Sequence, residues 1–94
     1  MAKIVHCKKA PKGSFLYIGR PSIFGNPYEL HDPRDDDARH AVIEKYRAWF
    51  HERIEADPEF RSEVERLRGH DLGCWCAPRA CHGDVILAWL DEHP

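Results

Sequence analysis

The alternation of apolar and polar positions divides this chain into two short extended stretches, two helical stretches, a third extended stretch and a last helix. Lys3–Cys7 carries the β-branched pair Ile4 and Val5 and stops at Lys8-Lys9-Ala10-Pro11, which predicts a first strand. Cys7 is expected inside as a small apolar residue, with His6 on the opposite side at the surface. Pro11-Lys12-Gly13-Ser14 is a turn cluster, and Phe15-Leu16-Tyr17-Ile18 predicts a second strand, apolar on both faces and so the most buried. Ser22–Tyr28 has too much Gly, Asn and Pro for regular structure and too many large apolar side chains for an idle linker, and it reads as a packed loop.

Helical spacing begins at Asp37. Val42, Tyr46, Trp49, Phe50 and Ile54 recur on one face as far as about Ala56, with Asp35, Asp36 and Asp37 at the positive end of the macrodipole. His40 and His51 fall off that stripe, toward solvent. Asp57-Pro58 then stops one helix and starts the next, as an N-cap followed by proline at the first helical position. Phe60, Val64 and Leu67 form the apolar face of this second helix, and Gly69 ends it behind Arg66 and Arg68. Leu72–Cys76 predicts a third strand with Cys74 and Cys76 on one face and Trp75 on the other. A last helix runs from Asp84 to about Glu92 on Val85, Ile86, Trp89 and Leu90. The order β-β-loop-α-α-β-α predicts one domain over residues 1–94, an α/β or α+β layer fold with about three strands covered by three helices.

With 94 residues there is room for one modest core. No apolar run suits a membrane span or a signal peptide, so the expectation is a cytoplasmic protein with reduced cysteines and no membrane partner. The net charge of −2 gives no global pull toward nucleic acid. The charge is uneven, however: residues 1–28 hold Lys3, Lys8, Lys9, Lys12 and Arg20 and no acid. Those lysines either surround a hairpin as solvated charges or meet the phosphates of a nucleic acid.

The chemistry is concentrated between the third strand and the last helix, where Cys74, Cys76, Cys81 and His82 fall in the spacing C-x-C-x4-C-H. A strand–loop–helix turn points free N–H groups into its loop, which favours an anion or a thiolate. Three readings follow. In the first, Cys81 is a thiolate at the helix start, with His82 as acid/base and Cys76 beside them. Arg20 at a strand end then clamps an anion, Asn26 orients a ligand or closes an Asx-turn, and Gly19, Arg79 and Asp84 complete the binding set. In the second, Cys74, Cys76, Cys81 and His82 hold zinc, although the usual C-x2-C knuckle is missing. In the third, the cysteines only pack.

The blocks Tyr17-Ile18-Gly19-Arg20-Pro21, Gly25-Asn26-Pro27-Tyr28, Leu72-Gly73-Cys74-Trp75-Cys76-Ala77-Pro78 and Cys81-His82-Gly83-Asp84-Val85 resemble the signatures of the bacterial and phage domain-of-unknown-function family 4326. That resemblance implies that Gly19, Arg20, Gly25, Asn26, Pro27, Cys74, Cys76, Cys81, His82 and Asp84 are marked positions. The strand-end cysteine followed by Cys-His is also similar to family 488, which implies a small Rossmann-like mixed sheet. That family tends to carry arginine after Cys-His, where this chain has Gly83, so a phosphate grip would fall to Arg79 or Arg20. The resulting expectation is an enzyme or ligand-binding protein for a phosphate-bearing small molecule such as a nucleotide or modified base. The alternative is a zinc-stabilised, non-enzymatic module that binds protein or nucleic acid.

Overall fold

The computed structural model describes residues 2–32, 34–77 and 79–94. Its elements follow the expected order: β1 (Ile4–His6), β2 (Leu16–Tyr17), α1 (Asp36–Ala56), α2 (Pro58–Glu65), β3 (Leu72–Cys74) and α3 (Gly83–Glu92). β3 lies in the middle of the sheet, in the order β1-β3-β2, and both pairings are parallel. Ile4 stands opposite Leu72 on one side, and Leu16 stands opposite Leu72 on the other. The ladder is completed by Leu72 N–H to Lys3 O and Cys7 N–H to Cys74 O, and across the other edge by Leu16 N–H to Asp71 O and Ile18 N–H to Gly73 O, all 2.9–3.0 Å.

This order corrects two expectations. β1 and β2 are not a hairpin, because the last strand in the sequence enters between them. β3, not β2, is the most buried strand: Leu72, Gly73 and Cys74 are all buried, whereas Leu16 is 38% exposed at an edge. The Phe15 ring lies against Gly73, where any Cβ would collide with it, so glycine is required at the centre of the sheet. β3 also ends at Cys74, so Trp75 and Cys76 belong to the loop after it. Cys7 is half-buried, as is His6, whose ring edge meets Trp75 at 5.9 Å.

The helix starts follow the acids. Asp35 caps α1 by accepting from Ala38 N–H at 3.0 Å. Asp57 ends α1 and caps α2, accepting from Glu59 and Phe60 N–H groups at 3.1 and 3.2 Å, with Pro58 in the first turn. Gly69, at φ +82°, turns the chain away after α2. Arg68 reaches across to the far end of α3, donating to Leu90 O and His93 O at 2.9 and 2.7 Å, where a cation complements the free carbonyls.

The helices cover the face of the sheet that carries Leu72 and Cys74. Ile43, Tyr46, Phe50 and Ile54 of α1, Phe60 and Val64 of α2, and Val85, Ile86, Trp89 and Leu90 of α3 share one core with Ile18. The aromatics expected to face the core do so, with Phe50 against Tyr46, Phe60 and Trp89. The buried stripe of α1 is rotated slightly from the expected one: Val42 and Trp49 are half-buried, and Arg39 and Ile43 are inside. Among the described residues no helix is long and apolar enough to cross a membrane.

Candidate functional site

Parallel strands end on the same side of a sheet, and in α/β folds ligands bind beyond their carboxyl ends. Here the last residues of the three strands, His6, Tyr17 and Cys74, all border one cleft of about 740 Å³. The chain after β2 brings Gly19, Arg20, Asn26 and Tyr28 to its wall, and the chain after β3 brings Cys76, Arg79, Cys81 and His82. Of the catalytic and binding residues expected from sequence, Gly19, Arg20, Asn26, Cys74, Cys76, Arg79, Cys81 and His82 border the cleft and Asp84 does not; the marked positions Gly25 and Pro27 also lie outside its lining. Asp84 is exposed, and its Oδ2 accepts from Cys81 N–H at 3.1 Å while Gly83 N–H donates to Cys81 Sγ at 3.2 Å. These two bonds tie Cys81 and Asp84 together just before and within the first turn of α3, whose N-cap position is His82.

The three cysteines of the motif meet at the floor of the cleft. Cys74 and Cys81 are about 2% exposed, with sulfurs 2.9 Å apart, and Cys76 is half-buried. All are free thiols. Three clustered thiols share few protons once one ionises, and Cys76 is the one that ionises first. Hydrogen bonds from Cys74 and Cys81 hold its thiol far below the ordinary range, and the Arg39 guanidinium adds to this against the cost of burial. Cys81 is pushed up, because its hydrogen bonds to Cys74 and Cys76 keep its proton and burial disfavours its charge. Cys74 is raised by its hydrogen bond to Cys76 and by burial, against the hydrogen bond from Cys81, which lowers it. Burial and the hydrogen bonds to two neighbouring sulfurs thus work against a charge on Cys81, where the sequence places a thiolate, while the neighbouring sulfurs and the Arg39 guanidinium favour one on Cys76.

His82 is 8% exposed. Its Nε2 lies 2.8 Å from Ile18 O, its Nδ1 lies 3.6 Å from Cys81 Sγ, and its ring meets Tyr46 edge-on at 5.0 Å. Burial lowers its pKa, and the Arg20 charge works the same way against the hydrogen bond to Ile18. A neutral ring facing a carbonyl with Nε2 must carry its proton there, which leaves the Nδ1 lone pair toward Cys81. Tyr46, which wedges the ring, donates to Phe24 O at 2.9 Å, and burial raises its pKa.

The cleft is cationic. Lys9, Arg20, Arg34, Arg39 and Arg79 border it, and no carboxylate does so among the described residues. Lys8 stands over the Trp75 ring at 5.3 Å, and like Lys3 and Lys12 it does not border the cleft. Asn26 Oδ1 accepts from Tyr28 N–H at 2.9 Å, so the Asx-turn is present and the amide Nδ2 is what Asn26 can offer a ligand. Trp75, 56% exposed, donates from Nε1 to Tyr17 Oη at 3.0 Å and forms one wall with Tyr17. Pro78, part of the motif, lies outside the described residues.

Arg39 is the site residue that the sequence reading missed. It is 5% exposed, donates from Nη1 to Ala80 O at 3.1 Å and hydrogen-bonds Cys76. A signal was present: Arg39 precedes Ile43, Tyr46, Phe50 and Ile54 in the same helical row, so a charge stood on the buried stripe.

For the zinc reading, the sulfurs of Cys74 and Cys81 stand 2.9 Å apart and the His82 Nε2 faces Ile18 O. Among the described residues no three His, Cys, Asp or Glu side chains are placed to hold a metal ion.

No solved structure matches the chain. An enterobacteria phage T4 protein, described as an uncharacterised 12.4 kDa protein in the nrdA-td intergenic region, is 38% identical over 69 residues, 73% of this chain and 60% of the relative. The chain thus spans about three-fifths of that relative's length. The family model called Domain of unknown function (DUF4326) matches residues 5–92, a span holding the cleft and every block that shapes it, and the chain belongs to that family.

Proposed function

We propose that the cleft binds a phosphate-bearing small molecule, a nucleotide or nucleotide-like compound, with the Cys76 thiolate as its reactive group. The observation that carries this is the convergence of Lys9, Arg20, Arg34, Arg39 and Arg79 on one cleft with no carboxylate among the described lining residues. Such a set repels cations and rewards a multiply charged anion. Arg20 and Arg79, both exposed at the mouth, suit the bidentate grip that guanidinium makes on phosphate. The cleft volume of about 740 Å³ lies in the range of small-molecule sites, and the Tyr17–Trp75 wall offers a flat ring something to stack on. Asn26 Nδ2 orients an acceptor edge. His82 is a buried support that presents Nδ1 to Cys81, and it does not serve as a solvent-facing acid.

Titration calorimetry with a nucleoside, its monophosphate and its triphosphate tests this reading. Affinity is expected to rise with phosphate count, to fall with salt, and to drop about 10- to 100-fold in Arg20→Ala, the effect of one charge-assisted hydrogen-bond pair. Equal binding of nucleoside and nucleotide, or an Arg20→Ala protein that binds normally, overturns it.

A further inference from the structure

The cysteine cluster is asymmetric in a way that anion binding does not use. Two thiols, Cys74 and Cys81, are shut in the core with sulfurs 2.9 Å apart. The third, Cys76, hydrogen-bonds with both, borders the cleft, and has the Arg39 guanidinium beside it. One thiol is half-buried at the cleft, and the two it hydrogen-bonds with are buried. A sulfur in that position is attacked first by a small oxidant, and the sulfurs behind it are placed to resolve the product.

We infer that the cluster is a hydroperoxide-reducing centre, in which Cys76 takes the oxidation and Cys74–Cys81 stores it as a disulfide. In the first step the Cys76 thiolate attacks the distal oxygen of a hydroperoxide. The O–O bond breaks, the departing alkoxide or hydroxide takes a proton from water, and Cys76 becomes a sulfenic acid. In the second step Cys81 Sγ attacks the Cys76 sulfur, and the sulfenic hydroxyl leaves with the Cys81 proton as water. In the third step Cys74 Sγ attacks the Cys81 sulfur, and its proton passes to the departing Cys76 sulfur and then to solvent. The sum is two thiols plus one hydroperoxide giving one disulfide, one alcohol or water, and one further water.

The last exchange has a structural reason. Closing a 2.9 Å contact to a sulfur–sulfur bond of about 2.05 Å needs less than about 1 Å of movement. The exchange also releases Cys76 to its contact with Arg39. Cys7 is an internal control: it is half-buried at the end of β1 and does not border the cleft. The proposal does not depend on what anion the cleft binds.

Trypsin makes the test direct, because cleavage after Arg68 and Arg79 leaves Cys74 and Cys76 on residues 69–79 and Cys81 on residues 80–94. Reduced whole chain is treated with equimolar hydrogen peroxide, alkylated with iodoacetamide, digested and read by mass spectrometry. The expected product has lost two hydrogens, joins the two peptides through Cys74 and Cys81, and carries alkyl groups on Cys76 and Cys7. In Cys76→Ser, disulfide formation is expected to slow about tenfold or more, as the rate follows the attacking thiolate. In Cys81→Ala, whose folding is checked by circular dichroism, dimedone is expected to trap a sulfenic acid on Cys76 or a Cys74–Cys76 disulfide to form. A Cys7 oxidised as fast as the cluster, a disulfide forming equally fast in Cys76→Ser, or Cys76 running on to sulfinic acid with no cross-link each overturns the proposal.

Discussion

Arg39 is the residue whose replacement bears most directly on the site. It lies 5% exposed in the first half of α1, donates to Ala80 O at 3.1 Å and hydrogen-bonds the Cys76 sulfur. Arg39→Met keeps the length and apolar stem of the side chain and removes the charge. A charge-assisted hydrogen bond contributes about 1.5–3 kcal/mol. At about 1.36 kcal/mol per pKa unit, losing it moves the Cys76 titration up by roughly 1–2 units. The assay is the rate of iodoacetamide labelling at Cys76 followed against pH, with Cys7 as reference, and the readout is the pH of half-maximal rate. Orphaning the Ala80 carbonyl costs about 1–3 kcal/mol more, which in a domain of this size lowers Tm by roughly 4–8 °C per kcal/mol. Arg39→Lys returns the charge and is expected to bring the labelling midpoint back toward its original pH. A midpoint that does not move in Arg39→Met refutes the reasoning. So does one that moves equally in Arg39→Lys, since only a structural role treats the two alike.

Two further predictions test supports of the site. Burial holds His82 neutral, with its folded-state pKa below the unfolded value. The unfolded state therefore binds more protons in that window, and the contribution to stability is present above about pH 6.5 and lost as pH falls toward the folded pKa. In thermal melts between about pH 7 and 5, the wild type is expected to lose Tm faster than His82→Gln, which does not titrate; parallel slopes would show that His82 is not the group responsible. Asp84 lies outside the cleft lining and accepts from Cys81 N–H beside the start of α3, so Asp84→Ala is expected to cost about 0.5–2 kcal/mol of stability and to leave nucleotide affinity unchanged, and lost affinity in a folded protein would return Asp84 to the binding set.

Legibility from the sequence varies with the range of the physics involved. The caps were readable because they are local: Asp57 followed by Pro58 can end one helix and start another with no knowledge of the rest of the chain. The core stripes of α2 and α3 were readable from their period, and the cleft residues after β2 and β3 from their concentration of Gly, Asn, Cys and His. Strand order was not readable in this way. Ile4-Val5-His6 and Leu16-Tyr17 are separated by a turn-like stretch, which suggests a hairpin, and only the docking of a strand more than fifty residues later places Leu72-Gly73-Cys74 between them. Gly73 was the hint, since a glycine in a buried strand marks a close neighbour, here Phe15. Arg39 was hidden because arginine on an amphipathic helix ordinarily belongs to the wet face. The contrast between Cys76 and Cys81 was hidden because it turns on how three sulfurs meet around the loop and, secondarily, on the Arg39 guanidinium, a contact between elements thirty-seven residues apart.

The motif that defines the site is also part of what holds the fold, and this decides which substitutions are informative. Cys74 is a core residue of the central strand, Cys81 takes part in the cap of α3, and His82 is pinned between Ile18 O and the Tyr46 ring. Replacing any of the three opens a cavity or orphans a hydrogen bond, so a lost activity would not separate chemistry from unfolding. Cys76, Arg20 and Asn26 are different. Each is half-buried or exposed, and each borders the same cleft. Their substitution removes a thiolate, a cation or an amide donor while leaving the buried core of the fold in place. A set of variants at these three positions, each shown to melt like the wild type, therefore reads out function with the fold held constant, and it separates anion binding at Arg20 from thiol chemistry at Cys76 within one protein.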